Sequence, residues 1–272
     1  MSPQSWSITT PQTLEVDGVG SLRAAIVRGR LDVITHDEAI TRVEVTEVTG
    51  QPLRVTFNDG ALKVEHLDPG NWFMKIVNLN TSDRAVISIA VPAGIDVSVA
   101  TVSGDGLVSG TSASTSLKTV SGSVMADHTA GMLTADTVSG EIITRQHKGP
   151  LTAKSISGEI TASGLLSSVR ASTVSGDLSL DILGTPADMV SKSVSGDVTV
   201  RLPQNIGVDV EAKTTSGTVI VDDQRFSATA QTVRTTSGPA KGMFKLRTSS
   251  VSGNVAVIHG EPARTARTEE GR

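Results

Sequence analysis

The sequence predicts an all-β fold, a parallel β-helix (β-solenoid) wound from single strands with about eighteen to twenty-one residues in each coil and entered through an irregular β-rich N-terminal portion. Three observations predict it. Ser-Gly occurs eleven times, and nine of these fall in one series, at Gly104, Gly122, Gly140, Gly158, Gly176, Gly196, Gly217, Gly238 and Gly253, evenly spaced over the first five and at slightly uneven intervals afterwards. Around these glycines runs one phrase, Thr-Val-Ser-Gly-Asp/Glu-aliphatic, spelled in full by Thr137-Val138-Ser139-Gly140-Glu141-Ile142. Aromatic residues make up 2% of the 272 residues, so the core must be built from Val, Ile, Leu and Ala, which suits narrow stacked coils. Self-similarity at a short fixed period marks a solenoid.

Residues 1–13 read as an N-terminal extension. They show no basic segment followed by an apolar one, so no signal peptide is visible and a cytoplasmic location is expected. Residues 14–98 are β-rich without strict repetition. β-Branched alternation predicts strands over 24–35, 41–48, 53–57, 62–66 and 85–91. Asn58-Asp59-Gly60 predicts a hairpin turn, because Asp-Gly readily supplies positive φ. No amphipathic helix is found, and this portion is expected to form irregular coils that cover the first open edge.

Residues 99–258 form the regular array. Counting each glycine as zero, position −2 carries Val102, Val120, Val138, Ile156, Val174, Val194 and Val251, and position +2 is aliphatic in most repeats. Their common parity predicts one inward face that includes the glycine. An inward glycine on a strand marks a crowded site or a bend. Positions −7 and −5, as in Leu133/Ala135, Leu151/Ala153 and Val169/Ala171, predict a second apolar face. Thr or Ser at −3 and Ser at −1 fill all nine repeats and are expected outside, as hydroxyl ladders. Residues 259–272 carry no apolar periodicity and read as a disordered tail.

A left-handed helix with three hexapeptides per coil has the same period and hosts acyltransferases. Its aliphatic every sixth residue fails at Pro150 and Ser168, so a right-handed coil is preferred. The Thr-Val-Ser-Gly-Asp/Glu-aliphatic unit, with Arg30-Leu31-Asp32-Val33-Ile34, the turn at Asp59-Gly60 and the strand ending at Pro92, resembles the bacterial "putative adhesin" family of β-strand-repeat proteins, a domain of unknown function. The likeness covers roughly 15–258. It implies a β-solenoid without enzymatic activity, linked in some members to the cell envelope or envelope stress.

The residues carry little chemistry. The five histidines, His36, His66, His128, His147 and His259, lack metal-ligand spacing, and no nucleophile elbow, phosphate loop or dinucleotide fingerprint appears. His128 and His147 are separated by nearly one coil and could be loop neighbours. No catalytic residue, cofactor or metal site is assigned. Position +1 is acidic at Asp105, Glu141, Glu159, Asp177 and Asp197, a ladder expected to be compensated by Lys118, Lys154, Lys192, Lys213 and Arg234 at position −4. Trp72 and Phe73 are expected to cap a coil end, or else to meet a partner or membrane surface.

A net charge of −4 with interspersed signs argues against nucleic acid, and no run is long enough to span a membrane. A monomeric scaffold or interaction module with an unknown protein partner is the expected function. An exported adhesin-like surface protein comes second and a hexapeptide-type acyltransferase third.

Overall fold

The computed structural model describes residues 3–66, 83–184, 186, 188–239 and 243–260. The N-terminal portion holds β1 (Gln4–Ile8), β2 (Gln12–Val16), β3 (Ser21–Ile26), β4 (Arg28–His36), β5 (Thr41–Thr49), β6 (Leu53–Asn58), β7 (Ala61–Glu65) and β8 (Arg84–Pro92). The array continues with β9 (Asp96–Thr101), β10 (Asp105–Ser109), β11 (Thr115–Thr119), β12 (Ser123–Asp127) and β13 (Leu133–Thr137). It runs on through β14 (Glu141–Ser155), β15 (Ile160–Thr173), β16 (Leu178–Ile182), β17 (Asp188–Ser193) and β18 (Val198–Pro203). The last strands are β19 (Val208–Val221), β20 (Gln224–Ser237), β21 (Phe244–Ser250) and β22 (Val255–Gly260). The fold is all-β, with no helix among the described residues.

Coils stack in parallel with the register that the repeat dictates. Leu117 lies beside Ala135, Ala135 beside Ala153 and Ala153 beside Ala171, each exactly one sequence period further on. The next step, from Ala171 to Ser191, is slightly longer, as is the interval between Gly176 and Gly196. Each coil contributes one strand to each of two faces. β9, β11, β13, the C-terminal halves of β14 and β15, and β17 build one; β10, β12, the N-terminal halves of β14 and β15, β16 and β18 build the other. Between them lies a thin aliphatic core. Leu133, Ala135, Ile142, Leu151 and Ala153 are all buried there, as positions −7, −5 and +2 predict. Each buried Leu or Ile contributes about 1.5–3 kcal/mol.

Parallel stacking gives way to antiparallel pairing at both ends, where two-residue turns join β6 to β7 and β19 to β20 and permit only antiparallel neighbours. β3 and β4 stack under β9 and β10, and β7 and β8 under them, all parallel. The chain then reverses: β5 and β6 run antiparallel to β8 and β7. The predicted turn is the pivot, with Asp59 at φ 47° and Gly60 at φ 78°. β1 and β2 pair antiparallel with β6 and β5, so residues 4–16 form the outermost layer instead of an extension. Trp6 and Leu14 of that layer pack against the core.

At the other end the spatial order departs from the chain order. β21 lies between β17 and β19, and β22 between β18 and the C-terminal half of β19. β19 and β20 form a bent antiparallel hairpin over them. The last strands thus fill a gap that the chain skipped. Residues 259–260 belong to β22, so the ordered body extends past the expected boundary at 258.

The glycines form one row along the corner between the faces, running Gly29, Gly104, Gly122, Gly140, Gly158, Gly176, Gly196, Gly253 and Gly217. A Cβ on Gly140 would collide with the carbonyl oxygen of Gly122, and one on Gly158 with that of Gly140. Gly29 is a member that the Ser-Gly word does not reveal. Gly238 is not a member: it follows the antiparallel β20, is exposed and lies against Ile206 and Gly207. The colliding atom is backbone, which cannot swing aside. Gly158→Ala is therefore expected to cost about 1–3 kcal/mol in urea unfolding. Gly94→Ala, where a Cβ meets open space, should be near neutral. Equal effects at the two positions would refute the corner geometry.

Candidate functional site

The repeated phrase is a corner, and its residues divide between holding the corner and facing outward. The chain bends between −3 and zero, so strict alternation stops there. The −3 hydroxyl turns inward, opposite to expectation: Thr119, Thr137, Ser155 and Ser193 are buried. Their hydroxyls donate to the glycine carbonyl three residues on, at 2.9 Å from Thr137, 2.6 Å from Ser155 and 2.7 Å from Ser193. A buried hydroxyl is tolerated because it is hydrogen-bonded. The −1 serines secure the next coil. Ser139 donates to the Val120 carbonyl through both its N–H (2.8 Å) and its hydroxyl (3.1 Å), and Ser157 does the same to Val138.

The −2 side chains consequently point outward, which corrects the expected inward face. Ile156, Val174, Val194 and Val251 are 51%, 49%, 47% and 51% exposed, and Val102, Val120 and Val138 are half-buried. Inter-coil hydrogen bonds keep them in register, Ser157 N–H to Val138 and Ser175 N–H to Ile156 among them. At ~4.8 Å per coil, the seven side chains from Val102 to Val251 make a ridge about 29 Å long. Thr215 of β19 occupies the same row beyond Val251.

On one flank of the ridge stands the acidic row. Asp105, Glu141, Glu159, Asp177 and Asp197 are exposed and in line, with Ser123 between Asp105 and Glu141. The aspartates have structural roles. Asp105 accepts the Ser123 backbone N–H at 3.2 Å, Asp177 that of Asp197 at 2.9 Å, and Asp197 that of Asn254 at 2.8 Å. Asn254 repeats the contact toward Thr218 at 3.0 Å. The longer glutamates make no such bond, and Glu159 instead accepts the Thr161 hydroxyl at 3.3 Å. Among the described residues no group of acids and histidines could hold a metal ion.

The −4 bases do not compensate this row. They lie on the other face of the corner, where Lys118 meets Asp136 at 3.8 Å and Arg234 meets Glu211 at 2.9 Å. Lys154 and Lys192 join Arg170 along a shallow groove that no acidic residue lines. Trp72 and Phe73 lie outside the described residues.

The histidines separate by environment. His147 is buried with its Nδ1 3.0 Å from the Thr129 hydroxyl, whereas His128 is exposed and 2.9 Å from Asp127. Burial pushes the His147 and His66 imidazoles below the usual histidine range. A polar clasp that sequence reasoning missed closes the C-terminal end. His259 Nδ1 lies 2.9 Å from Asp222 Oδ2, its Nε2 lies 2.8 Å from the Ile206 carbonyl, and the Ser237 hydroxyl donates to Asp222. Ser237 contacts the acid instead of the imidazole, so the trio lacks the nucleophile–base contact of an acyl-transfer site. Partial burial pushes the Asp222 carboxyl up, but hydrogen bonds from Ser237 and His259 and the imidazole's charge outweigh it and hold the carboxyl below its usual range.

Residues 31–258 match the Toastrack DUF4097 family. The chain belongs to that family. The resemblance carried by its Thr-Val-Ser-Gly phrase is thereby established, and Toastrack is a domain of unknown function with a β-solenoid-like fold. No curated protein matches the chain. Matching solved structures include a "putative cell adhesion protein" from Clostridium sporogenes, 13% identical over 92% of this chain and 100% of that one, with a TM-score of 0.32. Another is a "putative lipid binding protein" from Parabacteroides distasonis, 18% identical over 90% and 96% of the two chains, with a TM-score of 0.50. The latter shares the fold; at such identity the likeness extends no further.

Two acid-sensitive steps follow. His66 and His147 have depressed folded-state pKa values, so their neutral forms stabilise the fold above about pH 6.5 and that stability is lost as pH falls through their folded values. Asp222 behaves alike at lower pH: its contribution is full above about pH 4 and is lost as pH falls through its depressed value. Asp222→Asn, which tolerates the φ of 51° at this position, should cost on the order of 1–2 kcal/mol at pH 7. The difference from wild type should shrink below about pH 4. A pH-independent difference in urea midpoint would refute the charged clasp.

Proposed function

We propose that this Toastrack chain is a non-enzymatic scaffold whose contact surface is the outward aliphatic ridge. One observation carries the reading. Within the repeated phrase, the −3 hydroxyl, the −1 serine, the glycine and most +1 acids have bonding or steric roles in the corner. The −2 side chain has none, yet it is Val or Ile in seven coils. Single exposed apolar residues need no explanation, but an aligned row of them marks contact. The absence of enzymatic activity is part of the same proposal, supported by the enclosure of His147 and by the Ser237–Asp222 pairing. So are right-handed winding of the coil, supported by the rule for parallel crossovers, and a role at the cell envelope, supported by family membership.

Ile156→Thr, Val174→Thr and Val194→Thr together should leave stability within about 1 kcal/mol, as surface changes do, since Thr215 already stands in this row. A loss of several kcal/mol would make the row structural and sink the proposal. A photo-crosslinking residue at Val174 should trap a partner in cells, and one at Arg54 should not. Silence at both, or equal trapping at both, counts against the ridge. Fractionation of the same cells decides between a cytoplasmic scaffold and an exported surface protein.

A further inference from the structure

We infer that the ridge pairs with the ridge of a second copy of this chain, about a two-fold axis parallel to the stack. This rests on the contact-surface reading above and commits it to one occupant. The flanks of the ridge carry opposite charge. On one side stand Glu141, Glu159, Asp177 and Asp197; on the other, Lys154, Arg170 and Lys192 line a groove without an acid. Neither Lys154 nor Glu159 makes an ion pair within the chain among the described residues.

The symmetry follows from the stripes. A C2 interface is self-complementary, with each patch facing its own copy. An axis along the stack keeps coils level and exchanges the flanks. Aliphatic row then meets aliphatic row, and the basic side of one copy faces the acidic side of the other. Because −4 and +1 of one repeat sit at the same height, Lys154 comes opposite Glu159 and Lys192 opposite Asp197. The Gly140 coil is an exception, its −4 residue being Asp136, which Lys118 meets within the chain. An axis across the ridge would set Lys154 against the bases of its copy, which like-charge repulsion disfavours. The −2 row cannot recruit an added strand instead, since its backbone groups already bond neighbouring coils. A monomer was the expectation from sequence; an outward aliphatic row offers a second copy a surface to cover.

A contact along one edge falls in the small interface class, below about 1,200 Å². Association is therefore sought by sedimentation equilibrium of the full chain from about 1 to 500 μM. Wild type should be a reversible dimer that weakens with salt. Val174→Asp should weaken it by roughly tenfold or more while the thermal midpoint stays unchanged, because the side chain is half exposed. Lys154→Glu alone and Glu159→Lys alone should each weaken the homodimer. Mixing the two variants should restore association, since both flanks then face opposite charge.

A wild-type chain that is monomeric throughout overturns the inference, and so does a dimer indifferent to Val174→Asp. Failure of the mixed variants to re-associate overturns the parallel two-fold. Were the chain monomeric while wild type, but not Val174→Asp, bound phosphatidylglycerol vesicles, the second copy would be refuted. The ridge as a contact surface would still stand.

Discussion

Backbone meets backbone at one corner of every coil, and the stack depends on that contact. The glycine at the corner lies so close to the glycine carbonyl of the next coil that no side chain fits between them. That approach sets the bend, and the bend sets what neighbouring residues can do. A hydroxyl at −3 caps the bend from inside, a serine at −1 ties it to the next coil, and an aspartate at +1 accepts a backbone N–H across the step. Four residue types thus serve one geometrical problem. The problem recurs at each coil, which is why the phrase recurs.

The ends pose a different problem, because a stack of strands exposes unpaired edges and apolar core. This chain reverses direction at both. At the N-terminal end β5 and β6 run backward and β1 and β2 cover them, with Trp6 and Leu14 against the core. At the C-terminal end the β19–β20 hairpin stands off by one layer, and β21 and β22 fill the space. The clasp of Asp222, His259, Ser237 and Ile206 joins the hairpin turn, the end of β20 and the end of β22.

The candidate site was half legible. The acidic row at +1 could be seen, because equal spacing from each glycine forces its members into line. Its chemistry could not: whether a carboxylate meets a cation, a base or a backbone N–H depends on what the next coil presents, and that is geometry across a full turn of the solenoid. The ridge was misplaced for a reason that the numbering itself exposes. Positions −7 and −5 are odd, whereas zero and +2 are even, and all four face inward. Parity must switch once between −5 and zero. The switch falls after −3, so Thr goes in and Val goes out.

Hydrophobicity favours the opposite choice, Val inside and Thr outside. The inward threonine is held by a hydrogen bond to a carbonyl three residues on, a partner that exists only once the bend is made. Sequence by itself determined the all-β class, the coil-to-coil register, the aliphatic core at −7, −5 and +2, and the turn at Asp59-Gly60. These follow from local periodicity and from residues whose backbone preferences are intrinsic. Tertiary structure alone decided the reversed terminal layers, the order Gly196–Gly253–Gly217, the clasp at Asp222 and the outward ridge. Each depends on which distant segment lies alongside, and a repeat that spells every coil alike carries no record of that choice.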